Sequence, residues 1–267
     1  MKNITLGQYY PSNSILHKAD PRVKIILAML FIITSFICNS LLSFGGLMIA
    51  IVALIAVSRI PVKVIFKAIR PIMLILVFTM LINIFWTTGD TLLFKFWIIK
   101  VYYEGVRQAV FMLIRIFSLV VASTILVTYT TTPIALTDAI ESLLSPLKKI
   151  KVPVHDFAMM MTIALRFIPT LVDETEKIIA AQKARGADFT NGSLVKRAKA
   201  LIPILIPLFV SSFRRADELA TAMECRCYRG GEGRTRLKAL KCKPSDIVGL
   251  FAVAVLCAGI VMLNYVV

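Results

Sequence analysis

Charge is scarce in this chain. Only 17% of its 267 residues are charged and 58% are hydrophobic, whereas a soluble domain carries roughly a quarter charged residues. Acids are the scarcer sign, 15 against 31 lysines and arginines, for a formal net charge of +16. The shortage of charge excludes an ordinary soluble domain, because the apolar excess sits in long runs that suit a bilayer. Histidine is limited to His17 and His155. These lie far from Cys225, Cys227 and Cys242, whose spacing does not fit a zinc knuckle, so no metal site is expected. No glycine loop followed by lysine is present to cradle phosphates, so the chain should not hydrolyse ATP itself. Serine, cysteine and histidine form no obvious nucleophile and base pair, and neither an enzymatic activity nor a cofactor is expected. The first twenty residues lack an apolar core before a small-residue cleavage site, so insertion is expected to rely on the first transmembrane helix. The basic charge comes without a nucleic-acid recognition module, and nucleic acid is not an expected partner.

Long apolar runs are what the chain does contain. The first is Val23 to Cys38, preceded by Asp20-Pro21-Arg22-Val23-Lys24, where Asp20 can cap a helix and Pro21 fits its first turn. The second, Leu41 to Val57, follows after only Asn39 and Ser40, so the two form a hairpin. A basic loop with Arg59, Lys63, Lys67 and Arg70 is bracketed by Pro61 and Pro71. The third run is Pro71 to Thr87. A short segment rich in aromatics (Phe94, Phe96, Trp97, Tyr102, Tyr103) suits a membrane interface and leads to the fourth run, Val106 to Thr128. A fifth, Ile247 to Val267, ends the chain. The reading is an all-α membrane bundle of about five spans, with four in residues 1–130 and one in 245–267. Residues 131–244 form a basic helical region between them. The inside loop Ser58–Arg70 carries four basic residues. The outside loop Gly89–Glu104 carries Lys95 and Lys100, balanced by Asp90 and Glu104, and Thr131–Lys243 carries nineteen basic residues. This bias places the N-terminus and the large region in the cytoplasm and the C-terminus outside. Arg115 is costly in lipid and should face protein, either lining a path or pairing near Asp20 or another acid; the lack of intramembrane acids for a relay favours a structural role.

The central region keeps helical periodicity while gaining charge. Thr132 to Lys149 opens on Thr-Pro, a helix-start signal. His155 to Ala184 sets Phe157, Met161, Ala164, Ile168 and Leu171 on one stripe, and Leu194 to Glu224 is a further amphipathic stretch. Asp156, Asp173, Glu174 and Glu176 read mostly as a solvated face. Pro203 and Pro207 lie on one face and should bend their helix, as should Pro169. Two arginines stand near helix ends with small neighbours, in Ala184-Arg185-Gly186 and Cys225-Arg226-Cys227. Gly186 can supply a left-handed cap, and Gly230-Gly231 ends the second helix shortly after Arg226. A basic residue in a last turn can simply offset the helix dipole. Its planar fork also suits a carboxylate in a partner's groove.

The carriers of a family resemblance are Asp20-Pro21-Arg22-Val23-Lys24, Leu165-Arg166-Phe167-Ile168-Pro169, Ala181 to Ala187 and Ala222 to Gly230. On these the chain resembles the transmembrane T component of energy-coupling factor (ECF) transporters, prokaryotic uptake systems for vitamins and metal ions. Family members carry two small-Arg-small motifs at the ends of two coupling helices. Ala184-Arg185-Gly186 matches fully; Cys225-Arg226-Cys227 keeps the arginine but exchanges both neighbours. The resemblance implies a non-catalytic scaffold in the cell membrane, whose motif arginines dock into two cytoplasmic ABC ATPase subunits. Its helices would hold one membrane-embedded, substrate-binding S subunit. Pro169, Pro203 and Pro207 become the bends of the coupling helices. The competing reading is a stand-alone secondary transporter of a small solute. Such a protein would be expected to show paired repeats and midplane acids, and the first four spans contain no acid. A membrane-embedded enzyme would need a clustered His, Asp or Glu set at the interface, and none is apparent.

Overall fold

A computed structural model describes residues 9–89, 91–96, 99–187, 189, 193–230, 240 and 242–264. Asp90, Trp97, Gly231 and the last three residues of the closing apolar run lie outside the described residues. The chain divides into two compact units, Gly7–Ser142 with Ala239–Val267, and Leu143–Lys238.

The first unit is the apolar one. A short helix α1 (Ile15–Lys18) leads to α2 (Pro21–Ile37). Asp20 caps α2 as its sequence promised, its Oδ1 accepting the Arg22 N–H at 2.8 Å, with Pro21 at the first helical position. Next come α3 (Leu41–Ser58) and α4 (Val62–Trp86). The basic loop expected between Pro61 and Pro71 is therefore helix from Val62 onward, and Pro71 lies inside α4. The physical reason is that the turn is made by three residues, Arg59 to Pro61. Arg59 adopts a left-handed φ of 54° that ends α3, and Pro61 enters at the N-cap of α4. At 25 residues, α4 is roughly 38 Å long, longer than a hydrocarbon core of about 30 Å. Lys63, Lys67 and Arg70 ride on its first turns.

A small antiparallel hairpin follows, β1 (Leu92–Phe96) and β2 (Ile99–Tyr102), with Phe96 opposite Ile99 and a register shift between Leu92 and Phe94. The sequence reading saw only an aromatic segment here. Helix α5 (Tyr103–Ser123) packs closely on α4 because Gly105 lacks a side chain. A Cβ there would meet the Asn83, Ile84 and Thr87 carbonyl oxygens at 3.1–3.4 Å. Its last turns, Thr124–Tyr129, widen to a π-helix, and α6 (Pro133–Leu143) follows. Helix α9 (Pro244–Met262) closes the unit, its start capped by Asp246, whose Oδ2 accepts the Lys243 N–H at 3.1 Å. The core is apolar and continuous: Phe31, Phe44, Leu47, Ile51, Ile65, Val121 and Ile125 are buried together. The Phe44 and Phe111 rings stack 4.6 Å apart.

Among the described residues, four helices are long and apolar enough to cross a membrane: Leu41–Ser58, Val62–Trp86, Tyr103–Tyr129 and Pro244–Met262. Helix α2, at 17 residues, sits at the short end of the spanning range of about 17–25. The expected all-α membrane architecture is what the chain forms, with the hairpin as its one extended piece among the described residues.

The second unit contains a short 3-10 turn, Ser145–Ile150, and the two longest helices, α7 (Val154–Ala184) and α8 (Leu194–Cys225). Pro169 lies inside α7, and Pro203 and Pro207 inside α8, so each helix continues through its prolines.

Candidate functional site

The two arginine motifs form the same structure at two helix ends. At the end of α7, Arg185 is the cap residue and Gly186 turns left-handed at φ 87°. The Gly186 N–H donates to the Lys183 carbonyl at 2.9 Å, and the Ala187 N–H reaches back to the Gln182 carbonyl at 3.0 Å. At the end of α8, Arg226 is the cap and Cys227 turns left-handed at φ 55°. The Cys227 N–H donates to the Glu224 carbonyl at 2.8 Å, and the Tyr228 N–H to the Met223 carbonyl at 3.0 Å. Both ends show the paired bonds of a Schellman cap. The helix ends ahead of Gly230-Gly231, with Cys227 as its left-handed residue; Gly230 is left-handed as well. Helix α8 stops one residue short of Arg226, and the chain turns at once. The second motif keeps the cap geometry of the first even though a cysteine replaces its glycine.

Ala184, Arg185, Gly186, Cys225, Arg226 and Cys227 are all exposed. Both guanidiniums leave a helix end where backbone N–H groups already take the carbonyls of Gln182 and Lys183, or of Met223 and Glu224. Cys225 and Cys227 are free thiols. Among the described residues, no group of three or more His, Cys, Asp or Glu is arranged to hold a metal ion. A cleft of about 600 Å³ opens beside Arg226, between Met159, Thr162 and Ile163 of α7 and Leu219 and Met223 of α8.

The helices that carry these ends run antiparallel. Glu174 of α7 meets Ser211 and Arg215 of α8, while the earlier residues 159–163 stand across the cleft from the later residues 219–223. Arg185 and Arg226 therefore lie at opposite ends of the pair. At 1.5 Å per residue from the crossing, they are up to roughly 35 Å apart. The Glu174 carboxylate accepts from the Ser211 hydroxyl and, at 2.6 Å, from Arg215 Nη2. The Ser211 hydrogen bond first, and Arg215 second, hold its carboxyl below the usual range. Glu174, 23% exposed, is thus partly solvated and also bonded to α8, an exception that a mostly solvated acidic face allows. Periodicity places it correctly on α7, but only the packed partner shows that the α8 residues one turn apart meet it.

Over its whole length the chain is 54% identical to the energy-coupling factor transporter transmembrane protein of Ruminiclostridium cellulolyticum, covering 99% of that relative. The corresponding protein of Clostridium kluyveri is 51% identical, with 97% of each chain covered. That of Bacillus subtilis is 44% identical, also with 97% of each covered. Residues 12–237 match the family model CbiQ, described as cobalt transport protein. The chain belongs to the family of energy-coupling factor transporter transmembrane proteins. It is a multi-pass membrane component of a prokaryotic ECF transporter.

Helix α2 of this ECF component is pinned at both ends by polar residues. At its start Lys24 is buried, 2% exposed, and its Nζ donates to the Thr130 carbonyl at 2.8 Å. The π-helical turns after α5 end with Thr130 presenting its carbonyl to Lys24. Tyr129 contributes as well, its carbonyl accepting the Tyr10 N–H and its hydroxyl donating to the Val64 carbonyl. At the other end of α2, Asn264 Oδ1 accepts the N–H groups of Asn39 and Ser40, both at 2.9 Å, and Asn264 Nδ2 donates to the Ile37 carbonyl. Asn264 thereby caps α3 from 224 residues away, where Ser40 makes no cap bond of its own. Arg115 also ends here, donating to the Cys38 carbonyl at 2.6 Å and to Asn39 Oδ1 at 3.0 Å. Arg115 faces protein as expected, but its partners are a helix-end carbonyl and an amide rather than Asp20 or another acid. The free carbonyls of a helix C-terminus carry the negative end of its dipole, which suits a guanidinium where acids are missing. A lone asparagine near the end of an apolar run was the signal for Asn264, and sequence reading passed over it.

Proposed function

We propose that this chain is the transmembrane scaffold and coupling subunit of an ECF-type ABC importer. It links ATP hydrolysis in two cytoplasmic ATPases to uptake of a vitamin or other micronutrient by a substrate-binding S subunit. The observation that carries the reading is the pair of arginines on matching helix caps at opposite ends of α7 and α8. One groove cannot take both arginines over such a span, whereas one site on each of two subunits can. A planar guanidinium held at a rigid, left-handed cap suits a carboxylate acceptor. Residues 131–244 act as the coupling region between the membrane parts 1–130 and 245–267, and Pro169, Pro203 and Pro207 are its bending points.

The N-terminus lies in the cytoplasm and the C-terminus outside. The contacts within the apolar unit support this parity. The start of α2, the end of the fourth span and the start of α4 meet through Lys24, Thr130, Tyr129 and Val64. This is the edge that also carries Arg59 and Lys63. The ends of α2 and α9 meet at the other edge through Asn264, so the two helices run in parallel and the last one exits where the first does. A basic edge faces the cytoplasm.

The test uses the tagged chain expressed with its ATPases and S subunit. Loss of a charge-assisted hydrogen bond of roughly 1.5–3 kcal/mol weakens one dock by about ten- to a hundredfold. Arg185→Ala or Arg226→Ala alone should still copurify ATPases but transport poorly, and the double variant should lose the complex. Lysine should rescue incompletely. A double alanine variant that assembled and transported normally would show that the arginines only cap their helices.

A further inference from the structure

Glu174, Ser211 and Arg215 form an interhelical ion-pair cluster between α7 and α8. It lies well inside both helices, 11 residues before Arg185 and 11 before Arg226 when measured from Glu174 and Arg215. Much of the face of α8 around it is apolar and exposed, including Phe209, Val210 and Phe213. Ser211, at 9% exposed, is among the few buried residues of this helix. Its small side chain lets the backbones approach, and its hydroxyl points at one oxygen of Glu174 while Arg215 takes the other.

Apolar helix faces slide over one another at little cost because their contacts are not directional. A carboxylate gripped at both oxygens by residues four apart is different. A slip of α8 by one turn, about 5.4 Å, or a rotation about its own axis, separates both bonds at once. Polar groups set in an apolar helix contact are best known for fixing register in this way.

We infer that Glu174, Ser211 and Arg215 form the register pin of the coupling helices, positioning residues that keep the two arginine-bearing ends at a fixed separation. The inference rests on the coupling role proposed above. The pin stands 11 residues from each motif arginine. Its effect is geometric: with arms of roughly 17 Å on either side, a 10° change in crossing angle moves each arginine end by about 3 Å, as far as a hydrogen bond is long. Without the pin the helices remain packed, but the two ends no longer present one spacing to two partners.

The experiment compares Glu174→Arg, Arg215→Glu and the double exchange. In the first readout, spin labels at positions 183 and 224 report the distance between the helix ends, on the full chain in lipid nanodiscs with its native cysteines replaced. The wild-type pairing should give one narrow distribution. Each single exchange places like charges together and should broaden or split it, and the double exchange should narrow it again. In the second readout, the whole transporter in liposomes should lose about tenfold in uptake per ATP hydrolysed with either single exchange, the equivalent of ~1.4 kcal/mol. The double exchange should recover most of it. A single variant that fails to insert is replaced by Glu174→Gln, which keeps the shape and should broaden the distribution. Narrow distributions in both singles, or a double exchange no better than the singles, would overturn the pin. If the wild-type chain brings down no ATPases, the coupling role fails instead, and the distance measurement still decides whether the pin exists.

Discussion

Exchanging the residues at the two left-handed cap positions should move the two helix ends in opposite directions. Gly186 and Cys227 occupy the same place in the same cap, at φ 87° and φ 55°. An L-residue in the left-handed region is strained by about 1–2 kcal/mol, and glycine is not. Glycine in turn loses about 0.5–1 kcal/mol through its freedom in the unfolded chain. Cys227→Gly should therefore tighten its cap by a net ~0.5–1 kcal/mol, and Gly186→Ala should loosen its own by about as much. No neighbouring atom lies within 4 Å of a Cβ built on Gly186, so the loss would come from backbone strain alone and not from a clash. Hydrogen exchange at the amides that close the caps is the direct assay. Those of Gly186 and Ala187 should lose about two- to fivefold in protection in Gly186→Ala, and those of Cys227 and Tyr228 should gain about as much in Cys227→Gly. Docking through Arg226 should survive the cysteine exchange, because the guanidinium stays on its cap. Weaker protection in Cys227→Gly would refute the reasoning, since it would mean that the cysteine side chain itself holds the turn.

Two further outcomes follow from the polar ties of the membrane unit. Asn264→Ala removes the acceptor of two N–H groups at the start of α3 and should cost about 1 kcal/mol, in the range of a lost N-cap. It should read as a lower unfolding midpoint in detergent, with faster exchange at Asn39 and Ser40. The second is pH dependence at His17. Its Nε2 donates to the Tyr10 carbonyl at 2.9 Å, and in the neutral ring Nδ1, 2.7 Å from the Ser14 hydroxyl, is the acceptor. Burial, with the nearby Lys24 charge adding to it, lowers its pKa despite that carbonyl. A histidine whose folded pKa lies below its unfolded one leaves stability unchanged above the unfolded value. As pH falls below about 6.5 the unfolded state takes the proton first and stability declines. Unfolding midpoints should fall between pH 7 and 5, and His17→Gln should flatten that slope.

The sequence by itself determined the helical membrane character, because runs of apolar residues with almost no charge have no other stable solvent than lipid or a protein core. It also determined where α2 starts, since Asp20 and Pro21 act within one turn of themselves, and that α7 and α8 are long helices with one apolar stripe. Arg185 and Arg226 could be singled out because small residues and a stop in periodicity are local signals. What the tertiary structure decided was every role that depends on a residue far away in the chain. Pro71 did not start a helix, because the turn before it was already made by Arg59 to Pro61. Lys24 is buried against the Thr130 carbonyl, which only the π-helical turns after α5 bring within reach. Arg115 found a helix C-terminus instead of an acid, and Asn264 capped a helix 224 residues upstream. Glu174 gained Ser211 and Arg215 only once α7 and α8 had packed. Periodicity says which face of a helix is apolar, but not which neighbour covers it or at which register, and those two choices place the polar groups that lock this fold.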